Sequence, residues 1–162
     1  MQVFLPYTKN LEKSAQSLDD TRLSKQIVEL CQILTAQYNL RYSQNAVVGY
    51  ANHPVVQQYN TDSGISFLLR YGAALCVEYQ FRTGKMHQGS FTLAGLKAEY
   101  STLGMSNTDE YSPAYIKGQR GKDQMITAEN VSALYQKLLS QKWHNENPKW
   151  TGRQPPEFYQ QK

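Results

Sequence analysis

The apolar spacing in "LDDTRLSKQIVELCQIL", residues 18–34, constrains this chain more than any other feature. At about 100° of rotation per residue, Leu23, Ile27, Leu30 and Leu34 fall on one narrow arc, the pattern of a helix packed on a core. Arg22, Lys25, Gln26 and Glu29 share a second arc roughly 100° away. Two readings of this polar arc stand side by side. It is a solvated face tied by Lys25–Glu29 and Arg22–Gln26 pairs at the four-residue spacing, or it is the wall of a site. Ile33 lies on the same arc one turn beyond Glu29, with Leu40 and Tyr42 soon after, so part of the arc should be covered by protein. A carboxylate under partial cover and flanked by cations is a candidate catalytic group, because burial and neighbouring charge both tune its ionisation.

The same helical period recurs along the chain. "MQVFLPYTKN" reads as an extended arm in which Pro6 blocks a helix and Val3, Phe4 and Leu5 tuck against the body. "NLEKSAQSL" suits a short helix. Asp19 is placed to cap the long helix, which should run to about Tyr38, with Asp20 favourable at its positive end. Pro54 opens another short helix. A second long helix runs from a Ser63 cap to Gly84, and a third from Ser90 to Gly104. Residues 105–126 are polar, glycine-containing and aperiodic, hence a long loop. A last helix capped by Thr127 reaches Trp143, and residues 143–162 form an irregular aromatic and basic tail. No alternating strand pattern of useful length appears. A chain of 162 residues fits one core, so the expectation is an all-α single domain of four main helices with an irregular arm, loop and tail.

Several chemistries lack their signatures here. Cys31 and Cys76 have no partner at a metal-ligand spacing, and His53, His87 and His144 stand far apart, so no structural zinc motif exists and no metal or cofactor is expected. Both cysteines sit among apolar neighbours, which points to a reduced, cytoplasmic protein. The first ten residues are too short in apolar run for a secretory leader, and no run approaches a membrane span. There is no P-loop, no dinucleotide-binding glycine run and no G-x-S-x-G elbow. Acid, base or amine chemistry remains, or binding alone.

A net charge of +4 favours a polyanionic partner. From residue 137 to residue 153 four cations, Lys137, Lys142, Lys149 and Arg153, meet one acid, Glu146, and interleave with Trp143 and Trp150. Such interleaving neutralises phosphates and stacks bases, although tail tryptophans serve equally as core anchors. "KGQRGK" adds Lys117, Arg120 and Lys122 on a glycine-flexible backbone suited to closing over phosphates.

"MQVFLPY" with "SAQSLDDTRLSKQIVELCQIL", then "NHPVVQQY", then "LLRYGAALCVEYQFRTG" resemble the pyrimidine dimer DNA glycosylases, the group that includes the phage endonuclease V type of enzyme. The resemblance covers roughly residues 1–84. It implies a helical protein that reads damaged duplex DNA, whose N-terminal amine attacks C1′ of the sugar as the base departs and whose Schiff base then undergoes β-elimination without a metal. By resemblance Glu29 stabilises the cationic sugar and handles protons, Arg22 and Lys25 hold phosphates, and Gln26 hydrogen-bonds a base edge. The chain departs from the endonuclease V type at its second residue. Gln2 is bulky, which leaves methionine in place, so the amine belongs to Met1; an α-amine with a reference pKa near 7.7 to 8.0 is adequate. A hydrolytic route in which Glu29 activates water fits the same residues.

Further candidates carry two readings each. His53 touches substrate or caps its own helix. Glu78 and Arg82 line the same cleft by resemblance, or pair along one helix. Arg70 and Tyr71 share that helix, and Tyr7 stacks on an extruded base or packs on the first long helix. The expected function is a metal-independent DNA glycosylase, with abasic-site lyase activity as a further expectation, acting as a monomer on a damaged or modified pyrimidine. The alternatives are a non-enzymatic binder of nucleic acid or nucleotide, and an N-glycosidic enzyme on free nucleotides.

Overall fold

The computed structural model describes residues 1–43, 49–104, 115–117, 124–126 and 131–159. Six helices appear among them: α1 (Leu11–Ser17), α2 (Asp20–Tyr42), α3 (Pro54–Gln58), α4 (Asp62–Thr83), α5 (Gly89–Thr102) and α6 (Val131–Trp143). The expected all-α domain with four main helices is what forms. One element departs from expectation. Inside the segment read as loop, Tyr115–Lys117 (β1) pairs antiparallel with Gln124–Ile126 (β2), Ile116 opposite Met125. Three residues per strand are too few to leave an alternating pattern that a sequence reveals.

The arc on α2 packs as its spacing requires, with Leu23, Ile27, Leu30 and Leu34 all buried. Ile33, Ala36 and Gln37 are buried too, but Leu40 and Tyr42 are exposed, so the cover over the polar arc ends after Gln37. α4 lies against both α1 and α2, and α5 packs against α2 and α4. Gly89 permits that approach: a Cβ there would stand 2.7 Å from Cγ2 of Ile27. The helix ends follow local chemistry. α4 starts one residue before the expected Ser63 cap, because the Thr61 side chain accepts the N–H of Gly64. It closes at Gly84, whose φ of 67° is the left-handed conformation that glycine adopts without penalty. α2 runs four residues past Tyr38. Thr127 lies outside the described residues.

The N-terminal arm is part of the core, with Val3, Phe4 and Leu5 buried. The hydroxyl of Tyr71 on α4 donates to the Phe4 carbonyl at 2.6 Å. The tail is held by its aromatics. Trp143 packs edge-on against Trp150 and stacks on Phe158, with ring centroids 4.9 and 5.8 Å away. Both indoles are committed, Trp143 Nε1 to Asp19 Oδ1 at 2.9 Å and Trp150 Nε1 to the Ser17 carbonyl at 3.0 Å. They are anchors of the fold, with no indole N–H left over for a ligand. No helix among the described residues is long and apolar enough to cross a membrane.

Candidate active site

The polar arc of α2 is where the arm docks. Gln26 is buried and uses both ends of its amide on the arm: Oε1 accepts the Phe4 N–H at 2.9 Å and Nε2 donates to the Gln2 carbonyl at 3.0 Å. One turn on, Oε2 of Glu29 accepts the N–H of Gln2 at 3.0 Å. An extended arm has no internal partners for these groups, and burying them unpaired would cost about 1–3 kcal/mol each. The helix therefore fixes the register of the arm residue by residue. The α-amine of Met1 follows directly from the peptide nitrogen that Glu29 holds.

His53 closes the other side. It is the N-cap of α3, and its Nδ1 accepts the N–H of Val55 at 3.2 Å. Its Nε2 stands 3.5 Å from the Met1 nitrogen. Lys25 reaches Glu29 from the solvent side, Nζ to Oε1 at 3.8 Å, with a side chain 69% exposed against 14% for the carboxylate. An amine, a carboxylate, an imidazole and one exposed cation thus converge where arm, α2 and α3 meet. Of the residues singled out in the sequence, Met1, Lys25, Gln26, Glu29 and His53 are brought together.

The others go elsewhere. Arg22 is buried, with NH2 2.8 Å from both carboxylate oxygens of Glu146 and NH1 3.0 Å from Asp19 Oδ1. The Arg22–Gln26 pair does not form. Asp19 spends its carboxylate on Arg22 and Trp143 and makes no side-chain cap to α2; the N–H of Asp20 donates instead to the Lys149 carbonyl at 2.8 Å. Arg82 and Glu78 are both buried, and Glu78 borders, with Gln16 and Arg153, a depression of about 680 Å³ whose lining includes neither Met1, Glu29 nor His53. Arg82 donates to Glu78, Asp20 and the carbonyls of Leu18 and Gln16, and Arg153 of the tail closes on Glu78 at 2.8 Å. This network ties α1, α2, α4 and the tail at one junction. Burial pushes the Glu78 carboxyl up, but the hydrogen bonds from Arg153 and Arg82 outweigh it and hold the group below its ordinary value. Asp20 is likewise held low, by Thr151 and Arg82 against its own burial.

Tyr7 packs in the arm, with Lys13 Nζ 4.4 Å above its ring and Phe158 beside it. Lys117 lies on β1, and Arg120 and Lys122 lie outside the described residues. Cys31 and Cys76 are free thiols that burial pushes up to about 11, so both are protonated at neutral pH. Among the described residues no three His, Cys, Asp or Glu side chains gather as a metal site.

Sequence reasoning missed Tyr50. Its φ of 66° puts a bulky residue in left-handed backbone, the residue is 60% exposed, and its carbonyl accepts the N–H of His53 at 2.9 Å. It borders a depression of about 290 Å³ along α2, beside Gln32, Thr35, Ala36 and Asn39. Left-handed residues announce themselves in sequence as glycine or asparagine, and a tyrosine gives no such signal.

The family model for pyrimidine dimer DNA glycosylase matches residues 1–91 of the 162. The match covers the arm, α1 to α4 and the whole of the convergence described above, and it ends three residues into α5. No curated protein and no solved structure matches the chain.

Proposed function

We infer, because this chain belongs to the pyrimidine dimer DNA glycosylase family, that it excises a damaged or modified pyrimidine from duplex DNA through the α-amine of Met1, with Glu29 as its carboxylate partner. One observation carries the reading: Glu29 Oε2 holds the Gln2 N–H at 3.0 Å, so amine and carboxylate face the same sugar. The amine lone pair forms a bond to C1′ while the C1′–N1 bond breaks, and its electron pair leaves with the base. The new C1′ ammonium gives a proton to Glu29. That proton returns to O4′ as the C1′–O4′ bond breaks and the iminium forms.

Loss of the C2′ proton then expels the 3′-phosphate by β-elimination, and water hydrolyses the imine to free the amine. These steps ask for an amine and an acid–base group only, and for that reason the reaction proposed is metal-independent. Lys25, the exposed cation of the site, anchors a phosphate, and the basic segment with Lys117, Arg120 and Lys122 adds further contacts. Arg22 and Arg82 act through the fold instead, holding α2 and the tail in place. The depression under Tyr50 is the berth for the extruded base, with the ring as its stacking face.

Incubation with a panel of duplexes carrying pyrimidine dimers and modified pyrimidines, followed by mass analysis of released bases and strand ends, tests this reading. Release of one pyrimidine class is expected, lost in Glu29→Gln. Tight, salt-dependent binding with no released base would support the non-enzymatic reading, and release from mononucleotides would support the third.

A further inference from the structure

Gln26, expected to read a base edge, is spent on the arm, with both ends of its amide bonded to main chain. Six residues on, Gln32 is exposed, and its amide has no hydrogen-bond partner among the described residues. Thr35 is exposed too, and its hydroxyl does not bond back to a carbonyl of its own helix as those of Ser17 and Thr83 do. Asn39 accepts the Ser43 hydroxyl on Oδ1 at 3.4 Å, which leaves its NH2 group over. All three line the depression of about 290 Å³ beside Tyr50, together with Ala36 and Cys31. Burial pushes the Cys31 thiol up to about 11, and none of the described lining residues carries a charge at neutral pH.

The helix sets a scale for this row. At about 1.5 Å of rise per residue, Gln32 stands roughly 4.5 Å beyond Glu29 along the axis, Thr35 roughly 9 Å and Asn39 roughly 15 Å. A pyrimidine with C1′ at the amine and Glu29, and its ring against Tyr50, reaches about one helical turn, roughly 5 Å. Its outer edge then meets Gln32, and Thr35 and Asn39 lie beyond the ring. The depression is longer than the base, in the plane of the ring. A cross-linked dimer puts its second ring over the face of the first, where Tyr50 stacks, and leaves the far end vacant. An exocyclic group in the ring plane fills it.

We propose that this depression selects a single pyrimidine carrying an uncharged, hydrogen-bonding substituent on its outer edge, with Gln32 reading the ring and Thr35 and Asn39 the substituent. The proposal rests on the reading that the extruded base enters here, and narrows it to a substrate class. The Gln32 amide offers a donor and an acceptor side by side and exchanges them by a half-turn, so it serves a uracil-type and a cytosine-type edge alike. Selection falls to the substituent. A hydroxyl there donates and accepts, and so meets both the Thr35 hydroxyl and the Asn39 NH2 group. A methyl group shuts water out and leaves them unpaired. A carboxylate enters with no cation to offset its lost hydration.

Equilibrium titration of the intact protein with modified duplexes tests this. Each duplex carries, opposite adenine, one 2′-fluoroarabino nucleotide of thymine, 5-hydroxymethyluracil or 5-carboxyuracil. The fluorine withdraws electrons from C1′ and keeps the base attached while it binds. A thymine dimer built on the same sugars is the fourth arm. 5-Hydroxymethyluracil should bind at least about fivefold more tightly than thymine, the worth of one hydrogen bond, and 5-carboxyuracil most weakly of the three. Thr35→Val should bring the hydroxymethyl and methyl duplexes to within about twofold of each other and leave the affinity for thymine at its wild-type value. Gln32→Leu should weaken both alike. Both side chains are exposed, so folding is retained.

Equal affinity of the wild-type protein for thymine and 5-hydroxymethyluracil overturns the proposal. So does a preference that survives Thr35→Val combined with Asn39→Leu, or tightest binding of the dimer. Ordinary deoxyribose duplexes of the same bases, which can be cleaved, separate this inference from the enzymatic reading. The stated preference with no base released removes the amine route and leaves the selectivity standing. Release of bases without the preference does the reverse.

Discussion

The backbone N–H of Gln2 donates to the carboxylate of Glu29 at 3.0 Å. This bond joins the two ends of the proposed chemistry, since it fixes the residue that follows the amine against the group that handles protons. Glu29→Gln keeps an acceptor for that N–H and removes the base. Folding should be unchanged within about 0.5 kcal/mol, while base excision falls by a factor of about 10² to 10⁴. Single-turnover rates beside melting curves check both. Excision at the wild-type rate would remove Glu29 from the mechanism.

Gln26 acts on the arm and not on a base edge. Its amide is buried against the Phe4 N–H and the Gln2 carbonyl. Gln26→Leu should cost about 1–3 kcal/mol through the groups left unpaired. It should also reduce excision more than it reduces DNA affinity, because the amine loses its register. Filter binding against single-turnover rates makes the separation visible.

Arg22 and Lys25 carry the same charge on neighbouring turns of one helix and should behave oppositely. Arg22, buried between Asp19 and Glu146, belongs to the fold. Arg22→Ala leaves Asp19 buried without its cation and should cost about 3–5 kcal/mol, with DNA affinity of the folded fraction little altered. Lys25→Ala should leave the melting point alone and reduce the slope of log affinity against log salt by about one. Titrations at several salt concentrations distinguish them.

These outcomes mark where the sequence was legible. The period of Leu23, Ile27, Leu30 and Leu34 was sufficient for α2 and its buried face, and the separate polar arc marked where the arm docks. The partners of that arc were not legible. Arg22 and Lys25 look alike in sequence, and only the tail folding back decides that Glu146, more than a hundred residues away, claims one of them. Residue pairs so distant leave no local period. The capping of α2 was misread for the same reason: Asp19 has the side chain of a good cap, but Arg22 and the Trp143 indole outbid the helix amides.

The junction of Glu78, Arg82, Arg153 and Asp20 sets an acid limit. Both carboxyls are held below their ordinary values of 4.5 and 3.8. A depressed folded-state pKa means that the unfolded chain binds the proton more readily. The stability they contribute is thus complete above the ordinary carboxylate range and is lost as the pH falls through their folded values. Melting points should drop steeply below about pH 4. Glu78→Gln should lower the melting point at pH 7, leaving Arg82 and Arg153 short of charge, and flatten the acid limb. An unchanged limb would place the acid sensitivity elsewhere.

Tyr50 carries a conformational cost and presents its ring to solvent. A left-handed tyrosine costs about 1–2 kcal/mol, a cost that glycine does not bear. Tyr50→Gly should therefore melt at or above the wild-type temperature while binding lesion-bearing duplex at least about fivefold more weakly, since stacking is worth about 1–3 kcal/mol per base. Lower stability with unchanged binding would make Tyr50 a packing residue only.

Sodium borohydride reduces the imine that an attack by the Met1 amine leaves on the sugar, and so traps it. Protein and a duplex containing an abasic site are mixed, reduced, digested and sequenced by mass spectrometry. A stable protein–DNA adduct is expected, with the sugar carried on the α-nitrogen of Met1 and absent when that amine is acetylated. An adduct on a lysine side chain, or excision of a base with no trappable intermediate, would contradict it.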